Sequence, residues 1–255
     1  MPNLSVNLNK IALLRNAREG NEPDLLSFAS AAMLLGAPSL TVHPREDERH
    51  IRLRDVEALS KLPQIKSARV EFNIEGDLRD SLIDLVCDIA PSQFTAVPVT
   101  KDELTSTRGF DETDDLDLLA TTITRLKASG VGRVSVFCNP SAAACTWAHL
   151  AGADAIELYT GDFAKAFKAG APEAELQRLI ESAAMAQTHG LRLHGGHDLT
   201  LENLPMLLTH VRFRELSIGH GLTIEALQQG WESAILAFIK CLSEPQTSSD
   251  GKALR

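Results

Sequence analysis

The chain of 255 residues carries a formal net charge of −9 at pH 7, with 44% hydrophobic, 23% charged and 5% aromatic residues. This is the composition of a soluble globular chain long enough to bury a sizeable core, and it excludes a general nucleic-acid binder, which needs a basic face. It does not exclude anionic substrates, because a few local cations inside a cleft can outweigh the global charge.

In chain order, the first expected strand is the alternating run Leu4-Ser5-Val6-Asn7. No charged n-region precedes it, so no signal peptide is expected. A helix is expected over 24–35, then strands over 39–43 and 68–73, a helix over 80–90 and a strand over 93–97. A helix over 115–129 and a strand over 133–138 follow, then a strand over 155–158, a helix over 172–189, strands over 191–194 and 216–218, and a helix over 223–242. Gly130, Gly152 and Gly190 fall where helices should end. Eight βα units without a composition break predict a single parallel-stranded (β/α)8 TIM barrel over residues 1–242. A doubly wound open sheet is the structural alternative, but its glycine-rich fingerprint is missing after the first strand. Leu, Ile, Val and Ala are expected to fill the barrel interior. The polar tail 243–255, SEPQTSSDGKALR, is expected to be disordered. No apolar run approaches the roughly 18 residues of a membrane span, so the cytoplasm is the expected compartment and no membrane partner is expected.

Polar residues gather where the strands should end, which is where barrels carry their chemistry. Those positions read Asn7-Leu8-Asn9-Lys10, His43-Pro44-Arg45, Asn73-Ile74-Glu75-Gly76, Glu157 with Thr160-Gly161, Gly195-Gly196-His197-Asp198 and Gly219-His220-Gly221. Histidines, a carboxylate and cations at one rim suit acid–base work on an anionic substrate. The last two glycine-rich segments, read as loops after strands seven and eight, are candidates for holding phosphate on backbone N–H groups; equally, they could be plain tight turns. The charged segment 41–51 is either a solvated charge run or an anion clamp using Arg45 or Arg49. Arg15 and Arg18 could lie on a solvated helix face. Glu157 could be a structural acceptor or a catalytic group. Cys87, Cys138, Cys145 and Cys241 show neither C-x-x-C nor metal-ligand spacing and read as reduced, buried residues, and no metal site is expected.

Taken together, Val6-Asn7, Leu14-Arg15-Asn16-Ala17-Arg18, Thr41-Val42-His43, Arg45-Glu46-Asp47, Arg49-His50-Ile51, Asn73-Ile74-Glu75, Gly109-Phe110-Asp111, Glu157-Leu158-Tyr159-Thr160-Gly161, Gly196-His197 and Ile218-Gly219-His220 resemble the pyridoxine 5'-phosphate synthase family. The resemblance runs in order from the first strand to the last. It implies an (α/β)8 barrel that needs no cofactor, assembles as a homo-oligomer, typically an octamer, and joins 1-deoxy-D-xylulose 5-phosphate to 3-amino-2-oxopropyl phosphate with release of phosphate and water. By resemblance His43 and Glu75 are acid–base residues and His197 is a proton donor. Asn7, Arg18, Gly219 and His220 would hold the aminoketone phosphate. Arg45, His50 and Thr105 would hold the xylulose phosphate, with Thr105 in a mobile lid over 98–111. Departures from the better-known members are Asn9-Lys10, Pro44, His194-Gly195 and Asp198, which look like a variant branch; Asn9, Lys10 and Asp198 fall at substrate-binding positions. Two other readings stand beside this one: an aldolase or isomerase forming a Schiff base on Lys10, and a non-catalytic sensor of phosphate ligands.

Overall fold

The computed structural model describes residues 1–98 and 107–244. Eight parallel strands close into one barrel in sequence order. They are β1 (Asn3–Asn7), β2 (Ser39–Val42), β3 (Glu71–Gly76), β4 (Gln93–Ala96), β5 (Val134–Cys138), β6 (Ala155–Tyr159), β7 (Arg192–Gly196) and β8 (Glu215–Ile218). Around them, among the described residues, run α1 (Asn9–Asn16), α2 (Leu25–Leu34), α3 (Leu53–Ser60), α4 (Pro63–Lys66), α5 (Asp80–Ile89), α6 (Leu116–Ala128), α7 (Ala142–Leu150), α8 (Gly161–Lys168), α9 (Glu173–Thr188), α10 (Leu204–His210), α11 (His220–Gln229) and α12 (Trp231–Ser243). The sheet is closed by the β1–β8 ladder, with Leu4 opposite Leu216 and Val6 opposite Ile218.

Local chemistry sets the helix ends. The side chains of Asp24, Asp115 and Ser141 accept hydrogen bonds from the N–H of Ser27, Leu118 and Ala144, capping α2, α6 and α7. Gly130, Gly152 and Gly190 follow helices with positive φ, as read from the sequence. The single helix expected over 223–242 is two: Gly230, at φ 88°, lies in a region closed to other residues and breaks α11 from α12. The strand expected over 68–73 lies later, at Glu71–Gly76, because Ala68, at φ 53°, still belongs to the turn after α4. Gly195 and Gly196, read as loop, are the last residues of β7. Of the tail expected from 243, Ser243 closes α12 and Glu244 follows it; the remainder lies outside the described residues.

The expectation of an aliphatic barrel interior is corrected. Strand residues alternate faces, and the apolar set, such as Val6, Leu40, Ile74, Phe94, Val136 and Leu158, packs beneath the helices. The inward set is polar apart from a few residues such as Phe137 and Tyr159. Ser5 Oγ lies 2.9 Å from Ser39 Oγ and 2.6 Å from Thr41 Oγ1. Asn73 donates to Thr41 and accepts from Thr95, Gln93 donates to Thr95, and Arg133 donates to Gln93 and Glu71. This belt joins β1 through β4 and Arg133, just before β5, by bonds among its own side chains, which is what lets such polar groups lie dry inside a fold.

Candidate active site

At the C-terminal mouth of the barrel a pocket of about 340 Å³ is lined by Asn7, Asn9, Lys10, His43, Arg45, His50, Glu75, Glu157, His197, Asp198, Gly219 and His220, with Val97, Phe137 and Ser217 among the other walls. Its volume falls in the range of small-molecule sites. Every described residue assigned by resemblance is therefore brought to one place except Arg18, which is exposed in the turn after α1 and off the pocket lining. Thr105 lies outside the described residues, as does most of the expected lid over 98–111. The far margin of that segment is anchored: Phe110 N–H donates to the Phe137 carbonyl at 2.7 Å, Asn139 N–H donates back to Phe110, and the Phe110 ring stacks on Trp147.

The first strand and helix frame one wall. Asn7 Oδ1 accepts from Asn9 N–H at 3.0 Å, and Asn9 Oδ1 accepts from His43 N–H at 2.9 Å, so Asn9 ties the end of β1 to the end of β2. Arg15, read as possibly solvated, is buried. Its guanidinium forks onto Asp55 at 2.7 and 2.8 Å and reaches the His50 carbonyl. Asn16 donates to the carbonyls of Arg49 and His50. The charged segment after β2 is thus not a free solvated run. It is pinned to α1, with Arg45 only 5% exposed and facing the pocket. His50 Nδ1 accepts from Ile51 N–H at 2.9 Å, which leaves the neutral ring's Nε2 as a donor. Burial, helped by Arg45, Lys10 and Arg49, pushes His50 down to about 4, so the neutral form prevails.

The acid–base groups occupy the floor. His43 Nδ1 stands 3.9 Å from Glu75 Oε2, and His43 Nε2 is buried without a hydrogen-bond partner among the described residues. Burial, with the charges of His50, Arg45 and Arg79, holds His43 well below the usual imidazole range. Burial also raises Glu75 to about 7, opposed by the Ser217 hydroxyl, which donates at 3.5 Å, and assisted by the charge of Glu215. Glu157 is pushed well above the carboxylate range by burial and by the charges of Glu75 and Glu215. Its Oε1 lies 2.2 Å from where a side chain on Gly196 would begin, so only glycine at 196 leaves it that place. Two neighbouring carboxyls whose proton affinity burial raises, one of them to near neutrality, form a set that can both give and take protons.

The last two strands supply a histidine and a helix N-terminus. His197 and Asp198 have φ of 96° and 55°, uncommon for residues with side chains. The turn is held by Thr160, whose hydroxyl is shared between the carbonyls of Gly196 and His197 at 2.8 and 2.6 Å. It sets the His197 ring 5.1 Å from the Tyr159 ring, edge to face. The Asp198 carboxylate turns to His197 Nδ1 at 3.4 Å, and that bond holds its proton affinity below the ordinary carboxylate value. Gly219 is the N-cap of α11, so the first N–H groups of that helix open on the pocket lined by Gly219, His220 and Gly221. Ser217 and Phe137 were not singled out in the sequence. Ser217 and Phe137 share a strand parity with Gly219 and Cys138's neighbour Asn139, but parity alone marks half of every strand.

Among the described residues no group of three or more His, Cys, Asp or Glu is placed to hold a metal ion, and no helix is long and apolar enough to cross a membrane.

The profile of the family described as pyridoxal phosphate biosynthesis protein PdxJ matches residues 4–244. A pyridoxine 5'-phosphate synthase of Cytophaga hutchinsonii is 43% identical over 245 residues, covering 96% of this chain and 100% of that protein. One of Parabacteroides distasonis is 41% identical over 95% of this chain and 100% of its own. Among solved structures, the N-(5'-phosphoribosyl)anthranilate isomerase of Pyrococcus furiosus superposes with a TM-score of 0.59 at 11% identity, covering 94% of this chain and 98% of that one. The phosphoribosyl anthranilate isomerase of Thermococcus kodakaraensis gives 0.56 at 15%, over 96% and 100%. At such identities these two share the barrel fold alone.

Proposed function

The chain belongs to the PdxJ family of pyridoxal phosphate biosynthesis proteins, and from that premise we propose that it is a pyridoxine 5'-phosphate synthase that condenses 1-deoxy-D-xylulose 5-phosphate with 3-amino-2-oxopropyl phosphate. The observation that carries this reading is the convergence of His43, Glu75, His197 and the α11 N-terminus on one pocket.

Closing a pyridine ring requires imine formation, dehydration, phosphate elimination and several proton shifts at carbon and oxygen. In the proposed scheme Glu75 takes protons when ionised and returns them when protonated, with neutral His43 beside it as its exchange partner. His197 delivers a proton to the departing oxygen. The α11 N–H groups, with Gly219 and His220, receive the aminoketone phosphate, alongside Asn7. Arg45 and the His50 Nε2–H receive the xylulose phosphate, with Asn9, Lys10 and Asp198 bordering it. Thr105 and Arg18 complete the set by family resemblance. Holding both molecules in one pocket removes the entropy of their encounter, which contributes up to roughly 7–11 kcal/mol in favourable cases.

The chain works in the cytoplasm as a homo-oligomer, an octamer by resemblance. Light scattering on the purified chain gives the assembly size, and a monomeric mass overturns this part.

The test of the activity mixes the purified chain with both phosphates and follows product by absorbance and mass. Pyridoxine 5'-phosphate and one equivalent of inorganic phosphate are expected. Borohydride added with either substrate should leave Lys10 unmodified; a covalent adduct there would instead support Schiff-base aldolase chemistry. Ligand binding without product would favour a sensor.

A further inference from the structure

Beneath the pocket floor lies a buried acid–base group that the proposed scheme leaves unused. The sheet register sets Glu157 on β6 beside His194 on β7, and His194 beside Glu215 on β8. His194 precedes Gly196 by two residues and Glu215 precedes Ser217 by two, so both share the inward face of the pocket residues above them. An imidazole thus stands between two carboxyl groups. It is 1% exposed, neither ring nitrogen has a hydrogen-bond partner among the described residues, and its Nδ1 lies 3.9 Å from Glu215 Oε1. A buried imidazole with both nitrogens free is costly and rare.

The charges around it act from several strands. Burial, then Arg133 just before β5, Arg192 on β7 and Arg214 before β8, disfavour a cationic ring and press His194 down to about 3. Burial and Glu71 raise Glu215 to about 7, opposed by Arg133 and by hydrogen bonds from Ser39 and Gln93. Glu75 faces Glu157 from β3. The ring therefore rests neutral beside a carboxyl that titrates near neutrality.

We propose that His194 is a positioning residue that relays a proton between Glu215, inside the barrel, and Glu157, on the pocket floor. The proposal rests on the synthase reading, whose repeated proton transfers give such a store its use. In the step, the Glu215 Oε1–H bond breaks as His194 Nδ1–H forms, after a movement of about 1 Å brings the pair to bonding distance. Once Glu157 has given its proton to a reaction intermediate, the His194 Nε2–H bond breaks as an O–H bond forms on the Glu157 carboxylate. The ring begins and ends neutral as opposite tautomers, one negative charge passes from Glu157 to Glu215, and nothing is oxidised or reduced. Reprotonation of Glu215 by the reverse path resets the tautomer.

The experiment compares the unsubstituted chain with H194Q, E215Q and the double variant, each checked for folding by circular dichroism, in product formation across pH. Glutamine keeps the volume and polarity but cannot pass a proton. Each single variant is expected to lose about tenfold in kcat with KM within about twofold. In E215Q the alkaline limb of the kcat profile should move down by about one pH unit, since a charge that raised Glu157 is gone. The double variant should be no slower than the slower single one. Profiles of the folded variants that superpose on the parent, or losses that multiply, overturn the relay. Should neither variant fold, the 15N spectrum of the unsubstituted chain decides: His194 ring shifts should inflect near 7 as Glu215 titrates, and shifts flat over about pH 5.5–8.5 overturn it. If the unsubstituted chain makes no pyridoxine 5'-phosphate, the synthase reading fails, while the histidine titration still tests the pair.

Discussion

Glu75 shows how one position turns burial into chemistry. A carboxyl on the surface would be ionised at neutral pH and a poor acid; sealed against Ser217 and His43, it titrates near 7. As the base it must be ionised, so kcat/KM should rise as pH increases through about 7. Glu75→Gln is expected to erase that limb and lower kcat by about 10²–10⁴-fold, read from initial rates. Gly196→Ala tests its neighbour. The added methyl would meet Glu157 Oε1 at 2.2 Å, so the carboxyl must move. A loss on the order of 10²-fold in kcat with near-parental melting is expected, because a displacement of about 1 Å suffices for it.

At the scale of elements, the segment between β2 and α3 depends on α1. Arg15 and Asp55 form a buried two-pronged pair, and Arg15 and Asn16 together hold the His50 backbone. Asp55→Asn leaves a buried guanidinium without its counter-charge. Urea unfolding should register a loss of about 3–5 kcal/mol. Because Arg45 and His50 are carried by that segment, KM for the xylulose phosphate should rise more than kcat falls. An unchanged KM would mean that the segment holds its place without the pair.

For the whole molecule, the barrel interior stores opposing titrations. Glu75 and Glu215 are raised to about 7 and Glu157 well above the usual carboxylate range, so the folded chain binds extra protons above the carboxylates' ordinary 4.5 and loses stability as pH rises through that range. His43, His50 and His194 are lowered, so the unfolded chain binds extra protons below 6.5 and stability falls as pH drops through that range. Between 4.5 and 6.5 the two sets oppose each other, and unfolding free energy should vary little. Above 6.5 only the carboxyl slope remains, and stability should decline. Glu157→Gln removes one carboxyl, so stability in that variant should climb with pH across the same window. Urea midpoints measured at several pH values check this, and a parallel curve for the variant would contradict it.

The sequence by itself determined the eight-unit barrel, the ends of the longer helices marked by Asp24, Asp115, Gly130 and Gly190, and the residues at the strand termini, because periodicity, caps and glycines act over a few neighbouring positions. The motif residues His43, Glu75, His197, Gly219 and His220 were legible for the same reason: each sits at the end of a local pattern. Only the tertiary structure decided that Arg15 is buried while Arg18 is exposed, since both lie in one short basic stretch and Asp55, forty residues on from Arg15, supplies the partner. It also decided that the barrel's inside is polar and its aliphatic residues lie outside. Alternation along a strand defines two faces but does not say which one turns inward; that follows from register around the closed sheet, which put Glu157, His194 and Glu215 side by side.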